Sequence, residues 1–162
     1  MAKKEVKTNV MRVLESEGVH YDHFEYDPEM TDGQGVAALL GQDENTVFKT
    51  LVTEAAGRKY YVFVIPVSAT LDLKKAALAA GEKSLSMLKQ KDLLPLTGYV
   101  HGGCSPIGMK KLFPTFIHLS ARSLDLFCVS AGKLGNQIRL SPEDLARIVN
   151  AEFSDLIFTE KK

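Results

Sequence analysis

Tryptophan is absent, and only two cysteines, Cys104 and Cys128, occur in 162 residues. Two thiols without a close pairing motif exclude a disulfide scaffold and suit reduced thiols in a cytosol. Neither sign of charge is in excess: Lys+Arg and Asp+Glu both number 20. Bulk charge therefore announces no nucleic acid, and an RNA partner would have to use a local basic patch. No apolar run approaches the length of a membrane span. The basic stretch over residues 1–8 leads into no apolar core, so no signal peptide is expected and the expected location is cytoplasmic. Internal repeats, low-complexity tracts and linkers are missing too. With 45% apolar and 25% charged residues, the chain reads as one globular domain over 1–162.

The expected elements are short and mixed. Val6, Val10, Val13 and Leu14 recur at helical spacing over residues 4–18. A strand is expected over 19–26, a break at Asp27-Pro28, and a short helix over 36–40. Residues 47–53 and 59–67 read as a hairpin across Ala56-Gly57-Arg58. Residues 72–80 form an alanine-rich helix, with Asp72 as cap and Gly81 as terminator. Another short helix is expected over 87–94, ended by Pro95. Strands follow over 116–119, 126–130 and 137–140. Ser141-Pro142-Glu143-Asp144 opens the last helix, to about residue 150. Scattered strands outnumber long helices, which predicts an α+β domain rather than a doubly wound sheet.

Lys49 is the residue out of keeping. It sits inside Val47-Phe48-Lys49-Thr50-Leu51-Val52, a strand-forming run, and lysine is almost never buried unpaired. Either it marks a solvated face or it points into a pocket that wants a charge. Gly102-Gly103-Cys104-Ser105-Pro106-Ile107-Gly108 packs three glycines and a proline into seven residues. Such a loop can aim backbone amides at one oxygen, though a plain tight turn explains it as well. Ser130-Ala131-Gly132-Lys133 follows a strand and reads as a ligand-skirting turn or an ordinary one. Cys104, with His101 three residues earlier, invites a nucleophile reading that lacks a third orienting group. His20 and His23 fall on opposite faces of a strand, which argues against shared metal ligation. Lys74-Lys75, Lys110-Lys111, Lys133 and Arg139 are either a solvated face or, if they ring Lys49, a grip on RNA.

Taken in order, Phe48-Lys49-Thr50-Leu51, Pro66-Val67, Leu71-Asp72-Leu73-Lys74-Lys75, Gly98 to Gly108 and Val129 to Lys133 resemble the YbaK/EbsC family. Within it, the resemblance is to the free-standing Cys-tRNA(Pro) deacylases, over residues 4–155. It implies a mixed, highly curved, barrel-like sheet flanked by helices, and editing of mischarged tRNA in trans. It implies no cofactor and no metal. The implied partners are the acceptor end of aminoacyl-tRNA and prolyl-tRNA synthetase in a ternary complex. Lys49, Gly102 and Gly103 take the catalytic positions; Phe24, Thr50, Ser130, Ala131 and Gly132 take the substrate-binding ones. Phe24 stands where a tyrosine is typical, and Tyr26 is the alternative. The phenylalanine that the family carries after the proline has no counterpart near Gly33. Cys104 occupies a position usually aliphatic. The rival readings are an Ala-tRNA(Pro) deacylase using water, a non-catalytic tRNA or synthetase binder, and a thiol redox protein.

Overall fold

The computed structural model describes residues 7–30 and 32–158. Its first helix, α1 (Asn9–Ser16), begins where the Thr8 side chain accepts from the Met11 amide, and it buries Val10, Met11 and Leu14. Of the expected helix over 4–18, residues 4–6 lie outside the described residues. Strand β1 (Asp22–Glu25) keeps only four residues of the expected 19–26. Helix α2 (Gly33–Leu39) starts three residues earlier than expected, because the Asp32 carboxylate accepts from the Gln34 amide and caps it there.

The hairpin forms as the sequence predicts, from β2 (Phe48–Ala55) and β3 (Lys59–Pro66). Helix α3 (Leu73–Ala80) has Asp72 as its cap and Gly81 in the left-handed region at its end, again as predicted. The next helix is displaced. Met87 pairs with Thr53 in a two-residue strand, β4 (Ser86–Met87), and α4 (Gln90–Thr97) contains Pro95 instead of stopping before it. A proline so near the end of a two-turn helix removes only one ladder bond, and Gly98 closes the helix three residues on. Strands β5 (Thr115–His118), β6 (Phe127–Ser130) and β7 (Asn136–Leu140) precede α5 (Pro142–Val149), whose cap is Ser141. A last strand, β8 (Glu152–Ser154), carries too few residues for an alternating pattern to reveal it.

The larger sheet has the order β4-β2-β3-β5-β8 and is mixed: β3–β5 and β5–β8 are parallel, the other pairs antiparallel. The smaller sheet, β1-β7-β6, is antiparallel. A parallel bridge between Val47 and Cys128 joins the two. The α+β class and the mixed sheet hold, and the strands divide into two sheets that meet at that seam. Between them lies the main core, with Phe48, Val52, Val62 and Val64 on one side and Phe127, Val129, Ile138 and Leu140 on the other. A second core packs Phe63, Ile65 and Phe116 beneath Ala76 and Ala77 of α3. Strand β3 is thus buried on both faces, and its neighbour β2 carries Lys49 to the seam between the sheets.

Candidate active site

The pocket at the seam encloses about 160 Å³. Val47 to Leu51 form one wall, Gly33 and Val36 of α2 a second, and the loop at His101, Gly102 and Cys104 a third. Ser130 at the end of β6, Gln137 of β7, and Tyr26, Val67 and Leu93 complete the lining.

Lys49 pairs with Ile65 across the hairpin and is half-buried. Burial pulls its pKa below the ordinary lysine value, and the Asp32 carboxylate pulls the other way. No ion pair or hydrogen bond holds its ammonium among the described residues. The sequence alternatives therefore resolve toward the pocket. Next to it, the Thr50 hydroxyl is buried without a hydrogen-bond partner. Gln137 is buried too, and accepts from the Gln42 amide at 2.8 Å.

The glycine loop divides its labour. Gly102 lines the pocket with φ +87°, a region that favours glycine. Its N–H has no partner among the described residues. Gly103 does not line the pocket, and its N–H donates to the Val100 carbonyl at 3.0 Å. That amide is engaged within the loop, so the geometry favours Gly102 over Gly103 as the donor facing the pocket. A Cβ there would stand 3.2 Å from the Leu134 nitrogen, so the glycine serves packing against the neighbouring turn. Ser105 Oγ accepts from the Ile107 amide inside the same loop and is fully buried.

The second small-residue turn divides in the same way. Ser130 lines the pocket while its Oγ accepts from the Gly132 amide at 3.1 Å. Ala131 is buried, with its N–H donated to the Asn136 carbonyl. Gly132 (φ +87°) is pressed against Val10 and Tyr99, where a Cβ would come within 2.8 and 3.0 Å. Ala131 and Gly132 shape the turn and do not line the pocket. Phe24 is also absent from the lining. Its ring carries the Arg139 guanidinium at 5.1 Å, and its backbone pairs with Gln137. β1 ends at Glu25, one residue before Tyr26, which lines the pocket; there the aromatic keeps its hydroxyl. Burial raises the Tyr26 pKa, partly offset by its hydrogen bond to the Gly135 backbone.

Cys104 lines the pocket, but burial pushes its thiol up to about 12. Cys128 stands at about 11, again through burial. Neither resembles an activated nucleophile, which needs a lowered pKa. His20 is exposed, and the His23 Nε2 shares a hydrogen bond with Asn136 Oδ1 at 2.8 Å. Among the described residues no group of three or more His, Cys, Asp or Glu could hold a metal ion. None of Lys74, Lys75, Lys110, Lys111, Lys133 or Arg139 lines the pocket. Lys75 is held by Asp155 and Arg139 by Asp22. The pocket residues that motif reading missed are Gly33, Val36, Leu93 and Gln137, and Tyr26 was its alternative to Phe24. Gln137 left no signal of the Lys49 kind, because its strand reads Asn136-Gln137-Ile138-Arg139-Leu140 and polar residues there break no apolar run.

An unpaired half-buried ammonium, an unpaired hydroxyl and a free glycine amide thus meet in one pocket, beside a thiol whose pKa burial raises. The profile of the aminoacyl-tRNA editing domain matches residues 27–148, most of the chain. A protein of Enterococcus faecalis, provisionally named Cys-tRNA(Pro)/Cys-tRNA(Cys) deacylase EbsC, is 44% identical over 99% of this chain and 100% of its own length. The chain belongs to the aminoacyl-tRNA editing domain family. Its fold recurs in a crystal structure provisionally described as a trans-editing enzyme for prolyl-tRNA synthetase, with TM-score 0.82, 22% identity, and coverage of 95% of this chain and 100% of that one. A second, described only as a hypothetical protein, gives TM-score 0.85 at 21% identity over 92% and 99%.

Proposed function

We propose that this protein is a trans-acting deacylase that removes cysteine from mischarged Cys-tRNA(Pro). The reading is supported by family membership and by the assignment of the full-length relative. The observation that carries the mechanism is that the pocket holds an unpaired lysine and no activated nucleophile. The nucleophile then comes from the substrate. The cysteinyl thiolate attacks its own ester carbonyl carbon. The new carbon–sulfur bond closes a thiolactone as the bond to the ribose oxygen breaks. The thiol proton passes through solvent to that oxygen, leaving tRNA with a free terminal hydroxyl.

In this scheme the protein orients the ester and stabilises the charge that develops on its carbonyl oxygen. Lys49 supplies the positive charge and the Gly102 amide a donor. Thr50, Ser130 and Tyr26 supply hydroxyl contacts to the amino acid and terminal adenosine. In this scheme Lys49 acts as a cation: burial lowers its pKa, the Asp32 carboxylate opposes that, and the half-exposed side chain keeps access to solvent. Delivery by prolyl-tRNA synthetase in a ternary complex fits the description of the structural relative above.

The test compares Cys-tRNA, Ser-tRNA and Ala-tRNA. A thiol near pKa 8.5 is a few per cent ionised at pH 7, whereas an alcohol is essentially not ionised at all. Ser-tRNA should turn over orders of magnitude more slowly, and Ala-tRNA more slowly still. Trapping should find a thiolactone before free cysteine. Cys104→Ala should keep turnover within a few-fold. Equal rates on all three substrates would make water the nucleophile. No cleavage with retained tRNA binding would leave a binding module, and complete loss in a folded Cys104→Ala would return the nucleophile to the protein.

A further inference from the structure

A second concavity, of about 550 Å³, lies against the tip of the β2–β3 hairpin. Arg58, Lys59, Lys110 and Lys111 line it, and Tyr60 and Phe113 form part of its wall with their rings edge to face at 5.6 Å. No carboxylate lines it. In a chain with equal numbers of acids and bases, four cations gathered in one groove are an asymmetry. Lys75, Arg139 and Arg147 are paired locally, with Asp155, with Asp22, and with Glu17 and Asp144, while, among the described residues, scattered lysines such as Lys74, Lys83 and Lys133 are not. None of the four in the groove makes an ion pair among the described residues. Lys110 only rests its ammonium on the Pro95 carbonyl, at 3.3 Å. Arg58 adds an independent observation. It holds φ +58°, a conformation better suited to glycine or asparagine, so the turn carries a long cation where the backbone disfavours one.

The groove is placed to act with the pocket. Lys49 and Ala55 lie six residues apart on β2, and Ala55 pairs with Lys59. At about 3.4 Å per residue the hairpin tip is roughly 20 Å from Lys49. Helix α4 borders both cavities, through Leu93 at the pocket and Leu96 at the groove. About six stacked nucleotides, at roughly 3.4 Å each, cover the same span. We propose that this groove seats the sugar–phosphate backbone of the tRNA acceptor arm while the aminoacylated end occupies the Lys49 pocket. The assignment rests on the deacylase reading. The four cations neutralise phosphates without reading sequence, and the partly exposed Tyr60 ring, backed by buried Phe113, offers an apolar flank to a ribose or an unstacked base.

The test removes the charges and uses two substrates. The quadruple variant Arg58→Gly, Lys59→Gln, Lys110→Gln, Lys111→Gln should bind uncharged tRNA at least about tenfold more weakly. Its slope of log affinity against log salt should be shallower by about 3, near 0.7–0.9 per lost contact. KM for Cys-tRNA should rise while kcat stays. A cysteine ester of adenosine reaches the pocket but not the groove, so its turnover should not change. Arg58→Gly alone relieves the turn and should melt no lower than the parent while still weakening tRNA binding. Unchanged tRNA affinity and salt slope overturn the proposal. So does a defect that appears only with prolyl-tRNA synthetase present, which would make the groove a protein contact. If the parent cleaves neither substrate while the variant loses tRNA binding, the groove stands and the deacylase reading falls.

Discussion

At the scale of the residue, Lys49 trades stability for chemistry. Burial lowers its pKa in the folded chain, with Asp32 opposing. Between that lowered value and the ordinary lysine value, the unfolded chain binds more protons, so stability rises with pH across that window. At neutral pH the burial is therefore a cost. Lys49→Met should abolish deacylation while leaving the melting temperature equal to the parent's or higher by up to about 2 °C. Full activity in this variant would make the lysine structural. The pH profile should be bell-shaped: kcat/KM climbs as the substrate thiol ionises, then falls as pH passes the lowered Lys49 pKa and the ammonium is lost. Lys49→Arg should be slow, because a planar guanidinium does not fill the place of an ammonium, yet its residual activity should lack the alkaline fall. An alkaline fall that persists in Lys49→Arg would assign it to another group.

At the scale of the element, the two glycine-bearing turns look alike in sequence and do different work. Gly102 opens a φ of +87° at the pocket wall; Gly132 has the same φ but is pressed between α1 and Tyr99. Gly132→Ala should cost about 2 kcal/mol or more, from the left-handed backbone and from a Cβ forced against Val10. Urea unfolding measures this. Activity of the folded fraction should survive, because Gly132 lines no part of the pocket; a purely kinetic defect at unchanged stability would restore it to the substrate site. This difference explains how much of the site was legible. Lys49, Gly102 and Ser130 stood out because a charge, a glycine or a run of small residues broke a local pattern, Thr50 came only with the family resemblance, and all four line the pocket. Gly103, Ala131 and Gly132 broke the same patterns for packing, and only the partners of their amides and missing side chains separate the two cases. Tyr26 was a matter of one residue: alternation placed Phe24 and Tyr26 on one face, and where β1 stops decided between them. The capped elements, α3 and α5, were readable from Asp72, Gly81, Ser141 and Pro142. β4 and β8 were not, because two or three residues carry no period and their existence depends on a partner strand distant in sequence.

At the scale of the whole molecule, the question is whether two sheets make two folding units. The smaller sheet has three short strands, and a hydrogen-bonded bridge at Val47 and Cys128 links it to the larger one. A single bridge would not enforce cooperativity, but the core does. Phe48 from the larger sheet meets Phe127 from the smaller edge to face at 5.0 Å. Val52, Val62 and Val64 share their cluster with Val129, Ile138 and Leu140, and α1 and α5 contribute Leu14 and Leu145 to it. Neither sheet buries this apolar face without the other, so the 162 residues should unfold as one domain. Far-ultraviolet circular dichroism and tyrosine fluorescence should report one urea midpoint. Phe127→Ala removes a fully buried ring and should cost about 3–5 kcal/mol. Hydrogen exchange then decides the matter. In Phe127→Ala, protection should fall together at β3 in the larger sheet and at β7 in the smaller, by the same free energy. Loss confined to β6 and β7, with β3 still protected as in the parent, would mean that the sheets are separate units. The Lys49 pocket at their seam would then be a hinge between moving parts rather than a preformed site.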